Sequence, residues 1–284
     1  MAQAFYHDAR RPAVISTSAR LTPVLAWDAN INGGFLHDRF DHFGLIFEVD
    51  PSRRALAGLV AGARFSTELR LAYGLGRYLE VQANGEAAWS PRHKTGRANV
   101  GLSVCSRNHL AGWTFGDLCA STQTSRRALS SNRSAVVSGT LTHLFTAGPA
   151  YHQISFGLAR HQQQEGQQNA ATLGWGAVWN RLTTDLSLTL SPGIADEHAL
   201  RRRIDAQASW IWGQRAYSLS LWQIDAHGGR LLGVDRRDRL RGLGLSSRLH
   251  RNIMVELTHQ QTTSTHALFD ERRTGVGMRI DLGR

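Results

Sequence analysis

Residues 55–73 read ALAGLVAGARFSTELRLAY, and this stretch decides the fold. Its odd positions are apolar almost throughout, whereas its even positions change from small residues to Arg64, Ser66, Glu68 and Arg70. A period of two places alternate side chains on opposite faces of a β-strand. A strand of this length extends about 60 Å, against about 17–20 Å for an ordinary strand. This length predicts a strand that crosses an outer membrane and continues beyond it.

The composition agrees with a large all-β protein. The chain has 284 residues, of which 42% are hydrophobic and 19% are charged. No stretch approaches the roughly 18 consecutive apolar residues that a membrane-spanning helix needs. A transmembrane β-barrel contains no such stretch, because every second residue of each strand faces a polar lumen.

Alternating segments recur along the whole chain and predict a transmembrane antiparallel β-barrel of about fourteen strands. Helical periodicity, sequence repeats and a domain linker are absent, so we expect a barrel over residues 13–284. A further extended piece, residues 42–49, would lie above the membrane. The predicted strands are 13–28, 55–73, 77–90, 97–110, 113–125, 133–146, 150–163, 168–179, 182–191, 200–213, 215–227, 238–249, 252–263 and 272–282.

The lengths of the links predict the orientation. Short links, such as 74–76 and 111–112, alternate with longer ones, such as 192–199 and 228–237. Periplasmic turns and extracellular loops alternate in this way in outer-membrane barrels. Residues 29–54 then form a long extracellular loop, and both termini are periplasmic.

The N-terminus and the net charge limit the classes of protein to which the chain could belong. Residues 1–12, MAQAFYHDARRP, contain no apolar signal core, so an exported protein would carry this numbering in its mature form. We expect them to form a periplasmic segment. The net charge is +11, almost entirely from arginine, and Lys94 is the only lysine. Nucleic acid is not a predicted partner, because a basic helix, a zinc-binding spacing and an aromatic RNA-binding signature are absent.

Charges on two adjacent strands predict a register. A turn at residues 74–76 places Arg70 opposite Glu80 and Arg64 opposite Glu86, all on the face away from lipid. Opposite charges in such cross-strand positions are favourable. We therefore expect these pairs to line the lumen.

The two cysteines predict a second register. Cys105 and Cys119 are symmetric about Gly112, so a hairpin turning there sets them opposite one another, with Arg107 opposite Asp117. Directly opposed residues have Cβ atoms within about 5.5 Å, and the periplasm is oxidising. A Cys105–Cys119 disulfide is the prediction, and two free buried thiols are the alternative.

Four tryptophans are candidates for the membrane interface, where amphipathic rings accumulate. They are Trp175, Trp210, Trp212 and Trp222. Core packing in a β-sandwich would be the alternative explanation.

Arginines cluster at or beside the links that we assign to the extracellular side. Arginine suits bidentate contacts with phosphate, so a ring of it at the outer rim would contact lipopolysaccharide. Solvated loop charge is the alternative. The predicted rim contacts are Arg126, Arg127, Arg201, Arg202, Arg203, Arg236, Arg237, Arg272 and Arg273.

Motifs for a metal site or for catalysis are incomplete or absent. Asp28, Asn30 and Asn32 match the opening of a calcium loop, but the glutamate expected at its twelfth position is replaced by Arg39. An Asx-rich loop start is the preferred interpretation. Nucleophile, zinc-protease and phosphate-loop motifs are absent, so we predict neither an enzyme nor a cofactor.

Residues 23–34, PVLAWDANINGG, resemble the start of the barrel domain in surface lipoprotein assembly modifiers, the Slam family. Members combine a periplasmic tetratricopeptide domain with a fourteen-stranded barrel. The resemblance implies an outer-membrane factor that helps to deliver lipoproteins or secreted proteins to the cell surface. A trimmed barrel, a barrel-only relative and an unrelated barrel all stay open. The alternative functions are a diffusion porin for small solutes and a structural barrel.

Overall fold

The computed structural model describes residues 12–280, apart from residues 43, 164, 165, 195, 196, 232, 251 and 252. The chain forms a 14-stranded antiparallel sheet and a separate two-stranded hairpin. The predicted fold class is therefore confirmed. The proposed periplasmic segment, residues 1–12, lies outside the described residues except for Pro12. In the described part of the chain, no helix has the length and apolarity required to cross a membrane.

The strands follow one another around the barrel in chain order. A hairpin of β2 (Arg39–His42) and β3 (Leu45–Glu48) interrupts the series above the barrel, together with a 3-10 turn at Pro51–Arg53. The barrel strands are β1 (Ala13–Asp28), β4 (Gly58–Gly74), β5 (Arg77–Ser90), β6 (Thr95–Ala111), β7 (Thr114–Arg126), β8 (Ser131–Ala147), β9 (Ala150–Gln163), β10 (Gly166–Trp179), β11 (Leu182–Leu190), β12 (Ala199–Trp212), β13 (Arg215–Leu231), β14 (Val234–His250), β15 (Ile253–Ser264) and β16 (Glu271–Ile280).

Neighbouring strands pair through continuous antiparallel ladders, and β1 pairs with β4 across the hairpin. Strands β1 and β16 lie side by side and bring the ring nearly to closure. No ladder joins these two strands among the residues that the structure describes.

Turns such as 75–76, 112–113 and 180–181 lie at one end of the barrel, and the longest links, 29–57, 191–198 and 265–270, lie at the other. Strand β1 begins and β16 ends at the end with the short turns, which is the periplasmic end. The predicted loop 228–237 is largely wrong, because β13 and β14 continue past an irregularity at Gly228 and Gly229 as far as Leu231 and Val234. Both glycines have positive φ, which lets the hairpin continue beyond the bulge.

The outer face of the barrel is apolar. Leu25 and Leu59 are 64% and 51% exposed, and Leu158 and Leu173 on the far side are similarly uncovered. A continuous apolar band of this kind is stable against hydrocarbon and not against water. The protein is therefore an outer-membrane β-barrel.

Aromatic rings mark both edges of this band. Near the periplasmic turns, Trp210 stacks on Tyr217 with 5.8 Å between ring centroids, and Trp175 and Trp179 are 6.3 Å apart. At the opposite edge Trp27 lies on the outer face. Such girdles occupy the two membrane–water interfaces.

Candidate functional site

The lumen contains a network of ion pairs near the extracellular end of β4, β5 and β6. Arg64 Nη2 lies 2.5 Å from Glu86 Oε2, and Arg97 Nη2 lies 2.8 Å from Glu86 Oε1. Arg97 also pairs with Asp28 on β1. The Glu86 side chain is only 6% exposed, whereas that of Arg64 is 48% exposed. The carboxylate therefore lies against the wall, and the guanidinium projects into the lumen.

A second network lies nearer the periplasm and has the same arrangement. Glu80 accepts from Arg70 at 3.0 Å and from Arg107 at 3.0 Å, and Arg107 also pairs with Asp117 at 2.5 Å. Glu80 is buried, and both arginines are partly exposed. Arg70 also pairs at 2.9 Å with Glu68, whose side chain is 30% exposed. The structure thus contains the Arg64–Glu86, Arg70–Glu80 and Arg107–Asp117 pairs, and it joins them into two larger networks.

The predicted disulfide is confirmed. Cys105 and Cys119 are directly opposed on β6 and β7, and a bond joins them. Cys105 is in turn the ladder partner of Glu80. The disulfide therefore fastens the wall beside the lower charge network.

Replacing both cysteines with alanine should lower the free energy of unfolding by about 3 kcal/mol, because the bond closes a short loop in the unfolded chain. Urea unfolding in detergent micelles would measure the change. Peptide mapping without reductant should show one peptide pair linked through Cys105 and Cys119. Two freely alkylated thiols in protein from its native membrane would contradict the bond.

The opposite wall of the lumen has different chemistry. Strands β11, β12 and β13 are seven strands around the barrel from β4, β5 and β6. Their lumen-facing side chains, with those of β9, line a pocket of about 300 Å³. The polar and aromatic side chains of this pocket include Gln153, Asp185, Asp205, Gln207 and Trp222. One wall thus presents mainly guanidinium groups, and the other presents the carboxylate of Asp185 with amide and indole groups, beside the ion pair of Asp205 with Arg203.

The position of Trp222 corrects its predicted place at the membrane interface. Trp222 is the ladder partner of Asp205 and Gly242, on the lumen side of the sheet. A Cβ atom at Gly242 would overlap the indole, so only glycine leaves room for it there. Strand alternation from Tyr217, on the outer face, would have placed Trp222 in the lumen.

The loop 29–57 folds inward over the mouth of the barrel. Ile31 is fully buried and packs against Val60 and Ala88, whose side chains face the lumen. Val24 and Ala26 complete this small cluster. The loop therefore narrows the extracellular entrance.

Other loops hold the loop 29–57 in place. The N–H of Leu129 donates to the carbonyl of Asn32 at 2.8 Å. On the other side, a ring nitrogen of His37 lies 2.5 Å from the carbonyl of Asp270. The inward position is thus fixed from the loops after β7 and β15.

The weak calcium candidates serve as structural residues of this loop. Asp28 accepts from the backbone N–H of Asn30 at 2.8 Å, which is the geometry of an Asx turn. The side chain of Asn32 donates to the carbonyl of Arg54 at 2.8 Å and accepts from the N–H of Leu56 at 2.9 Å. Within the described ranges, no group of three or more His, Cys, Asp or Glu side chains could hold a metal ion.

Seven of the nine predicted rim arginines divide between the outer and inner faces of the wall. Arg126, Arg202, Arg237 and Arg272 lie on the outer face. Arg203, Arg236 and Arg273 lie on the inner face, where they pair with Asp205, Asp238 and Glu271. Arg127 and Arg201 bind backbone carbonyls, those of Asn30 and His227. Contact with lipopolysaccharide stays a prediction.

Sequence reasoning omitted further arginines of the outer face. They include Arg133, Arg160 and Arg241. All three are exposed. The alternation of each strand carried the signal that would have found them.

No family model matches the chain, and no curated protein matches it. Among solved structures, it is similar to OccK2 (OpdF) of Pseudomonas aeruginosa in complex with glucuronate, with 10% identity over 94% of this chain and 99% of that chain and a TM-score of 0.49. It is also similar to a BenF-like porin from Pseudomonas fluorescens, with 8% identity over 95% and 100% of the two chains and a TM-score of 0.46. The function of this barrel is therefore inferred from its own lumen, mouth and outer wall.

Proposed function

We propose that the barrel is a passive channel for small hydrophilic solutes and that it favours anions. The proposal rests on one observation, which is the extent to which each charged group of β4–β6 is buried against the barrel wall. The carboxylates of Glu80 and Glu86 are buried against the wall, whereas the guanidinium group of Arg64 reaches the lumen, and Arg70 is as exposed as its second partner, Glu68. A solute therefore meets cationic groups first, and the low-dielectric wall strengthens their field.

The opposite wall supports the selection of polar solutes. Asp185 is exposed to the lumen, and Gln153 and Gln207 supply amide groups at the same pocket. The charge separation between the two walls would orient a dipolar solute across the lumen. Trp222 adds a flat apolar surface against which the less polar side of a solute can pack.

The loop 29–57 supports a limit on solute size. It reaches the lumen-facing side chains of Val60 and Ala88 through Ile31. A segment fixed in the mouth at this depth would exclude large solutes and folded proteins, which favours a channel for small molecules.

Planar-bilayer recordings test this function. We expect stepwise conductance with a preference for anions, and R64Q and R70Q should each shift the reversal potential toward cations. R64Q leaves Glu86 paired with Arg97, and R70Q leaves Glu80 paired with Arg107 but removes the arginine partner of Glu68.

The matched control is R126Q, which removes an arginine from the outer face and should leave ion selectivity unchanged. D185N should increase the anion preference, because it removes a carboxylate from the opposite wall. A folded barrel without conductance would overturn the channel and leave a structural role.

Translocation of lipoproteins or secreted proteins, which the family resemblance implies, stays a prediction. A helical-repeat region in the same reading frame, beside a lipoprotein gene, would favour it. Loss of a surface-exposed lipoprotein from cells lacking this barrel would be the direct test.

A further inference from the structure

The outer wall of β12–β16 carries polar side chains directly above its apolar band. One row across the sheet contains Arg202, Asp225 and Arg239, which are ladder partners on β12, β13 and β14. The row below it contains Gln223, Arg241, Gln261 and Arg272, which are ladder partners on β13–β16. We call these seven residues the outer arginine patch.

The position of the patch along the strands places it at the edge of the hydrocarbon. On β13 and β14, the next outward-facing residues toward the periplasm are Leu221 and Leu243, which are 45% and 38% exposed. On β15 and β16, the corresponding apolar residues are Leu257 and Val276, and on each strand one further outward-facing residue lies between the patch and this apolar residue. Along each of these strands, the outer face changes from apolar to polar side chains within one or two outward-facing residues. The patch therefore lies at the level of the lipid headgroups of the outer leaflet.

The geometry of the patch exposes its positive charge. Asp225 accepts from Arg202 Nη2 at 2.7 Å and from Arg239 Nε at 2.8 Å. The aspartate side chain is 16% exposed, whereas the two arginine side chains are 46% and 52% exposed. Arg241 donates through Nε to Gln223 at 3.2 Å. These contacts fix the guanidinium planes and direct the remaining donors of Arg202 and Arg239 outward.

We propose that the outer arginine patch binds the phosphate groups of lipopolysaccharide. The patch contains four arginines and one aspartate, so it retains a positive charge. Guanidinium groups bind phosphate through paired hydrogen bonds, which a lysine ammonium cannot form. Anionic lipid at this level would complete the patch, because its phosphates lie where the hydrocarbon ends.

The alternation of the strands provides a matched test. Arg202 and Arg239 are on β12 and β14 and face lipid, whereas Arg203 and Arg236 are on the same strands and face the lumen. Binding of fluorescent lipopolysaccharide to the detergent-purified barrel should weaken several-fold in R202Q/R239Q. The salt dependence of binding should also decrease, because fewer charges remain to be screened.

The lumen-facing pair R203Q/R236Q should bind lipopolysaccharide as the wild type does. Heat-modifiable gel migration would establish that both variants are folded. Dephosphorylated lipopolysaccharide should bind the wild type weakly. Equal loss in the two variants, no loss in R202Q/R239Q, or equally tight binding of phosphatidylglycerol would each overturn the proposal.

Discussion

Replacing Arg97 with methionine should lower the free energy of unfolding by about 3 kcal/mol, because it leaves the buried carboxylate of Asp28 without a charged partner. Arg97 pairs with both Asp28 and Glu86, whose side chains are 9% and 6% exposed. Glu86 keeps Arg64, but the structure gives Asp28 no other ion pair among the described residues. Urea unfolding followed by tryptophan fluorescence, with the barrel in detergent micelles, would measure the loss.

Two variants separate the loss of the ion pair from the loss of a long side chain. R97M/D28N removes the unpaired charge and should recover part of the stability, since a buried amide is less costly than a buried unpaired carboxylate. R126M shortens an exposed outer arginine and should change stability by less than about 0.5 kcal/mol. A similar loss in R97M and R126M would show that the ion pairs contribute little.

The sequence predicts those side-chain pairs of the lumen wall that form between neighbouring strands. The position of a tight turn fixes which residues of its two strands lie opposite one another. The turn at residues 74–76 therefore pairs Arg70 with Glu80, as the structure shows. The turn at Gly112 pairs Cys105 with Cys119 for the same reason. Local turn geometry and strand alternation carry this information.

Turn geometry and strand alternation do not predict contacts between strands that are not neighbours. Asp28 on β1 meets Arg97 on β6 although β4 and β5 separate the two strands in the sheet. Only the curvature of the barrel and the lengths of the side chains bring them together. The same holds for Ile31, because a loop has no periodicity that would indicate which of its residues is buried.

The rim arginines show another limit of prediction from the sequence, which concerns the face of the wall on which a residue lies. Alternation alone places Arg202 and Arg203 on opposite faces, but the register of β12 shifts between Leu200 and Arg202. Arg201 lies at this irregularity and donates to the carbonyl of His227. A β-bulge changes which residues face lipid beyond it, and it leaves little signal in the sequence. Proximity to an extracellular link could therefore indicate the level of these arginines but not their face.

Replacing Asn32 with alanine should release the loop 29–57 and raise the single-channel conductance several-fold. The Asn32 side chain is buried and forms hydrogen bonds to Arg54, Leu56 and Gly34, so it fastens the start of the loop to its end. Alanine cannot replace these bonds, and the carbonyl and N–H groups left behind would be satisfied more easily by water. Without this link, Ile31 should leave its contacts with the lumen wall, and the entrance should widen.

The control for this experiment lies in the same loop. Asp50 caps the turn Pro51–Arg53 through bonds to Ser52 alone, and these bonds hold the pKa of its carboxyl below the ordinary value. Its side chain is exposed and bonds within its own turn, so D50A should leave the conductance near that of the wild type. I31A should raise conductance as N32A does, because it removes the side chain that packs on Val60 and Ala88. If N32A and I31A both conduct as D50A does, the loop does not set the width of the entrance, and the narrowest part of the channel lies deeper, between the arginines of β4–β6 and the carboxylates of β11–β12.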